Sequence, residues 1–64
     1  MKADRHTVEV RYRPCGTEDT FQLWLAVGAL SDRPTMELAC VMRDRLAEHH
    51  PAFEFVVFVK GQRV

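Results

Sequence analysis

Two cysteines and three histidines are the side chains in this chain that are best suited to catalysis or metal binding. Cys15 follows Pro14 in a turn-like segment, and a nucleophilic thiol needs a base within hydrogen-bond distance. His6, His49 and His50 could act as that base, but no spacing in the sequence brings one of them to Cys15. We therefore expect an exposed loop thiol, and we predict no catalytic residues and no enzymatic activity.

The adjacent pair His49-His50 is the most suggestive metal-binding feature. Neighbouring side chains on a helix point about 100° apart, so the two imidazoles do not readily share one ion. Histidine is also favoured in the last turn of a helix by the macrodipole. The sequence lacks the CxxC, HExxH and GxSxG motifs and the glycine-rich phosphate loops. We accordingly expect no metal and no cofactor.

Composition and charge exclude several kinds of partner and location. Nine basic side chains equal nine acidic ones, which argues against a generic binder of polyanions. No apolar run approaches the roughly 18 residues of a membrane span, and the first residues contain no apolar signal segment. The two cysteines could form at most one disulfide, and we interpret them as free thiols of a cytoplasmic protein.

The chain reads as one domain, residues 1–64, with three predicted strands and one helix. Residues 7–13 alternate between apolar and polar and predict a half-buried strand, which a loop over residues 14–19 follows. Residues 20–29 predict a second strand, with Phe21, Leu23, Leu25 and Val27 inward and Gln22, Trp24, Ala26 and Gly28 outward. Residues 52–60, rich in aromatic and β-branched side chains, predict a third strand, and residues 61–64 a turn or short extension.

A helix is predicted between the second and third strands. Ser31 or Asp32 could cap its start ahead of Pro34, and Pro51 ends it. Helical spacing places four apolar side chains on one stripe, with His49 at its end: Leu38, Ala39, Met42 and Leu46.

These elements define an α+β fold of order ββαβ, with one helix packed on one face of a three-stranded sheet. The third strand can lie parallel to the second or antiparallel to the first. We favour the order 1-2-3, because the first strand is the shortest and most polar and therefore suits an edge. Either order leaves the third strand at an edge.

An apolar surface remains without a cover in this arrangement. The third strand is apolar on both faces, and one helix cannot cover both faces of the sheet. We therefore predict a small protein-interaction module, a homodimer or a complex with another protein, that uses the third strand and the open sheet face. The alternative is that the register slips locally, with a β-bulge near Gly28 or Gly61 re-aiming side chains, or that the C-terminal tail folds back over part of this face. The predicted interface comprises Trp24, Ala26, Glu54, Val56, Phe58 and Lys60.

Single-stranded nucleic acid is the alternative partner. Trp24 and Phe58 could stack bases on the open face. The phosphates would then meet three basic side chains, Arg11, Arg13 and Lys60. Glu9 and Glu54 share that face and oppose phosphate binding, and no RNA-recognition motif is present.

Overall fold

The computed structural model describes residues 7–31 and 34–64, which form one helix against one face of an antiparallel sheet. In chain order the elements are β1 (Thr7–Pro14), β2 (Gln22–Ala29), α1 (Thr35–His49), β3 (Phe53–Val59) and β4 (Gln62–Arg63). The predicted α+β class is confirmed, but these residues form four strands rather than three. The added strand exists because Lys60 and Gly61, with φ of 58° and 72°, reverse the chain immediately after β3.

The strand order is β2-β1-β3-β4, so β1 is central and antiparallel to both of its neighbours. The predicted order 1-2-3, with the first strand at an edge, is wrong. The polar residues of β1 reflect one uncovered face, whereas Val8 and Val10 on the other face are completely buried. Because β2 and β3 both run antiparallel to β1, they are parallel to each other, and α1 forms the crossover between them.

The core lies between α1 and the middle of the sheet. Val8, Ala39 and Val57 form its buried centre, and Val8 and Val57 come from the neighbouring strands β1 and β3. Ala39 has no exposed surface, and its small side chain lets the helix approach the sheet closely. Three half-buried side chains complete this cluster: Val27, Met36 and Val59.

The helix ends as predicted but begins later than its expected caps. It starts at Thr35, with Pro34 at the N-cap position and no side-chain hydrogen bond there. Ser31 lies before that position, and Asp32 lies outside the described residues. At the other end, the N–H of His50 donates to the carbonyl of Leu46 just before Pro51. Leu38, which was expected in the core, is 50% exposed.

Two β-bulges interrupt the pairing of β1 with β2. Val8 lies opposite Gly28 while Glu9 lies opposite Ala26, which leaves Val27 as an extra residue. Likewise, Val10 lies opposite Leu25 while Arg11 lies opposite Leu23, which leaves Trp24 as a second extra residue. Each bulge places two consecutive β2 residues on the helix side and so breaks the alternation that the sequence suggests.

Because of the two bulges, several β2 side chains lie on the face of the sheet opposite to the one predicted. Leu23 was expected to face the helix but lies opposite Arg11 on the open face, where it is 54% exposed. Phe21, also expected inside, contacts Phe58 of the open face instead. Trp24 and Gly28, expected outside, lie on the helix side. The inward placement of Leu25 and Val27 is confirmed, because they meet the buried valines.

This reassignment of faces can be tested by placing a charge at each of two leucines. Leu25→Asp should lower the free energy of unfolding by about 2–4 kcal/mol, because the carboxylate would lie opposite buried Val10. Leu23→Asp should cost less than about 0.5 kcal/mol in the unfolding of a single copy of the chain, because that side chain is exposed there. Urea denaturation followed by circular dichroism measures both values. Equal losses for the two variants would show that the leucines share a face.

Candidate functional site

Trp24 belongs to an aromatic cluster on the helix side of the sheet. Its ring centroid lies 5.2 Å from Tyr12, 5.2 Å from Phe55 and 5.3 Å from His50. Tyr12 and Phe55 are partners in the β1–β3 register, and His50 directly follows α1. The sequence placed Trp24 on the opposite face, and that placement is wrong. The indole is nevertheless 37% exposed, because β2 has no strand on its outer side within the described ranges.

The two aromatic planes expected on one face are therefore separated by the sheet. Phe58 lies opposite Glu9 on the open face, and the Arg11 guanidinium stacks 4.6 Å from the Phe58 ring centroid. The ring beside Phe58 is Phe21, at 5.9 Å, and Trp24 is on the other side of the sheet. A continuous stacking platform of Trp24 with Phe58 does not exist in this fold.

Arginine side chains cover the open face. The Arg13 guanidinium stacks 4.2 Å from the Phe21 centroid, and its Nε donates to Glu54 Oε1 at 2.9 Å. Arg63 of β4 lies over the same ring at 5.4 Å and has Nη2 at 3.9 Å from Glu54. On the neighbouring stretch of the face, Arg11 donates to Glu9 Oε1 through both Nε and Nη2. These contacts place cations over the aromatic rings and carboxylates beside them.

Because these arginines cover the open face, that face is less apolar than the sequence predicted. Val56 was expected in an open apolar patch but is only 4% exposed, and it lies opposite Arg11. Phe58 and Glu54 are half-buried. Ala26 is exposed opposite Glu9, and Lys60 is exposed in the turn after β3. The open face thus presents guanidinium groups stacked on aromatic rings rather than a bare hydrophobic surface.

The outer edge of β3 is partly closed by the end of the chain. β4 pairs with Phe58 and Val59, and the N–H of Val64 donates to the carbonyl of Val57 at 2.9 Å. Only the N-terminal half of β3 keeps an edge without a partner strand in the described structure. The third strand is therefore a poorer site for strand pairing than its sequence suggests.

The outer edge of β2 is the more accessible one. All eight residues of β2 are uncharged, and within residues 7–31 and 34–64 its only neighbour is β1. Leu23 projects on one face and Trp24 on the other, with 54% and 37% of their surfaces exposed. A strand edge with no partner and no charge is a template for another strand, and the two bulges restrict which strands can pair with it. Sequence reasoning missed this edge, although the absence of any charge from residue 20 to residue 31 was an available signal.

Cys15 and His50 each make a contact in the structure. Cys15 is exposed, as predicted, and its thiol lies 3.5 Å from the carbonyl oxygen of Pro51. His50 packs in the Trp24 cluster, and His6 lies outside the described residues. In the part of the chain that the structure describes, no three His, Cys, Asp or Glu side chains are grouped to hold a metal ion.

Comparisons with protein-family models, with curated proteins and with solved structures give no match for this chain. Over the same described ranges, no helix has the length and apolar character needed to cross a membrane. The assignment of a function therefore depends on the surfaces described above.

The arginine cover can be tested at Arg13, which also donates through Nη1 to the backbone carbonyl of Asp19 in the β1–β2 loop. Arg13→Ala should lower the free energy of unfolding by about 1–2 kcal/mol, because it uncovers Phe21 and leaves Glu54 with a weaker partner. Arg45→Ala, on the exposed surface of α1, is the matched control and should cost less than about 0.5 kcal/mol. Faster hydrogen exchange of the loop over residues 15–21 in Arg13→Ala alone would support this role, and unchanged exchange would contradict it.

Proposed function

We propose that this chain is a small, non-enzymatic protein-interaction module that binds its partner along the outer edge of β2. The observation that carries the proposal is an uncharged strand of eight residues whose outer edge has no partner strand among the described residues and which carries two large exposed side chains. A partner strand added at this edge would pair with its free backbone N–H and C=O groups.

The side chains of β2 favour strand addition over a purely polar contact. Leu23 and Trp24 project from opposite faces, so an added strand would be held by apolar contacts above and below the backbone ladder. Burying apolar surface contributes roughly 25 cal/mol per Å², and aromatic side chains dominate such contacts. Backbone pairing would supply affinity, and these two side chains would supply selectivity.

This proposal keeps the interaction module expected from the sequence and moves its binding surface. The predicted surface combined the third strand with the open face. β4 closes half of the third-strand edge, and arginines cover Phe21 and Phe58 of the open face. A non-enzymatic role is supported by the contacts of Cys15 and His50, which serve packing and a backbone interaction.

Site-specific photo-crosslinking tests the β2 edge. A photoreactive phenylalanine derivative at position 23 should give one defined adduct, identified by mass spectrometry, when the protein is illuminated in the producing cells. The same derivative at position 64, an equally exposed apolar site beyond β4, should give none. Adding Ala26→Lys should remove the adduct at position 23, because a lysine on a strand edge opposes pairing. Equal adducts at the two positions, or an adduct insensitive to Ala26→Lys, would contradict the proposal.

A second candidate function, binding of single-stranded nucleic acid, is favoured by the arrangement on the open face. Three guanidinium groups stack on two phenylalanine rings there, against two carboxylates. Because each guanidinium has five N–H donors, groups held by Glu9 and Glu54 retain donors for phosphates. This version differs from the sequence-based one, since Phe21 replaces Trp24 beside Phe58.

Fluorescence anisotropy with a labelled single-stranded oligothymidylate tests the second candidate. Binding at low salt should weaken as salt rises, because phosphate contacts release counterions. Phe58→Ala should lose about 1–3 kcal/mol of binding free energy through lost stacking. Trp24→Phe, on the other face, should bind as the unmodified chain does. An absence of binding at low salt would exclude this candidate and leave the β2-edge proposal unaffected.

A further inference from the structure

Along β2, successive residues lie on the open face or the helix face in the same order in both directions from Ala26. Ala26 lies on the open face, opposite Glu9. The next two residues on either side lie on the helix face: Trp24, Leu25, Val27 and Gly28. The third residue on either side returns to the open face, where Leu23 lies opposite Arg11 and Ala29 lies opposite Thr7. The two β-bulges create this symmetry, because each contributes one pair of consecutive residues on the same face.

We propose that the partner of β2 is the β2 strand of a second copy of this chain, paired antiparallel about a two-fold axis through Ala26. This inference rests on the proposed function of the β2 edge. Residues directly opposite each other in an antiparallel pair share a face. With the axis at Ala26, Leu25 lies opposite Val27 of the second copy, and every such pair combines two residues of the same face.

The two registers nearest to this one do not have this property, and an axis between Trp24 and Leu25 keeps it over six residues of β2 rather than the seven from Leu23 to Ala29. Moving the axis to Leu25 places Trp24, on the helix face, opposite Ala26, on the open face. Placing the axis between Leu25 and Ala26 makes these two residues partners, although they too lie on different faces. A shift of register by one residue exchanges the faces of a strand, and here it would bring apolar helix-side residues against the polar open face.

The bulges also select a second copy over an ordinary strand. A regular strand alternates faces at every residue, whereas β2 carries two same-face pairs, Trp24-Leu25 and Val27-Gly28. In the two-fold arrangement, the Trp24-Leu25 pair of one copy faces the Val27-Gly28 pair of the other, so neither strand has an unmatched residue. Irregular edges of this kind disfavour pairing with regular strands.

Side-chain size and charge fit the same arrangement. The half-exposed indole of Trp24 would lie beside Gly28 of the second copy, which has no side chain to obstruct it. Leu23 would likewise lie beside Ala29 of the second copy, and small Ala26 would meet its own copy at the axis. A symmetric interface places residues near the axis against themselves, and the uncharged β2 contains no like charges to repel. The product is one continuous sheet with both helices on the same face.

Cysteine cross-linking tests the register directly. In a background with Cys15→Ser and Cys40→Ala, Ala26→Cys should form a disulfide-linked dimer under mild oxidation. The two Cα atoms on the axis would be about 4.5–5.5 Å apart, within disulfide range. Leu23→Cys alone should not cross-link, because the two copies of position 23 would be about 20 Å apart along the strands. A mixture of Leu23→Cys and Ala29→Cys should cross-link, because those positions face each other.

The mass in solution supplies the second readout. Analytical ultracentrifugation should give twice the chain mass for the unmodified protein, and the double variant Leu23→Lys with Ala26→Lys should be a folded monomer by circular dichroism. An unmodified chain that is monomeric at its highest soluble concentration would overturn the inference. A dimer in which Leu23→Cys cross-links and Ala26→Cys does not would overturn it as well.

The failure of this inference is distinguishable from the failure of the proposed function. A monomer that still gives a position-23 adduct with another protein, removed by Ala26→Lys, would overturn only the second copy and would retain strand addition at β2. A dimer whose mass is unchanged in the double lysine variant would overturn both, because its interface would lie away from this edge.

Discussion

The burial of Val8 and Val10 of β1 is the constraint on which the rest of the structure depends. Both side chains are fully buried, because β1 lies between two other strands and beneath α1. The position of β1 in turn sets the crossover from β2 to β3 and leaves β2 at the margin of the sheet. A domain of this size buries about 60% of its unfolded surface, so few residues carry most of its stability.

One helix covers one face, and the other face is stabilised differently. Arg11 and Arg13 each place a guanidinium over a phenylalanine ring and a nitrogen beside a carboxylate. Their methylene groups add apolar surface while their charges remain in water. Val56 is thereby protected without a second helix or another apolar layer among the residues that the structure describes. This is why an apolar third strand does not produce an exposed apolar sheet face.

The sequence predicted the elements better than their arrangement. Alternation in residues 7–13, the end of the helix at Pro51 and the apolar third strand are local signals, and each element lies where those signals place it. Strand order depends on contacts between distant residues, which the sequence does not show. The polar side chains of β1 could indicate either an edge strand or a strand with one open face, and the structure has the second. The short β4 depends on a turn in which Lys60 adopts a positive φ, which lysine seldom does.

The candidate site was the least predictable part, because it depends on two bulges. A β-bulge has no reliable signature in apolar residues, and β2 adopts its bulges where Trp24 and Val27 gain contacts on the helix side. The sequence did place Arg11 and Phe58 on one face, since simple alternation holds in β1 and β3. The position of Trp24 could not be obtained in the same way, because alternation fails within β2 itself.

The central position of β1 also affects how the chain must fold during its synthesis. The β1–β2 hairpin is local and can form early, but the partner on the other side of β1 is made considerably later: Arg13 and Glu54, which pair across these strands, are 41 positions apart. Until β3 arrives, both edges of the hairpin are open, and closing so long a loop is slow compared with forming the hairpin. The interval before β3 is made is therefore the one in which the hairpin is most open to pairing with a neighbouring chain.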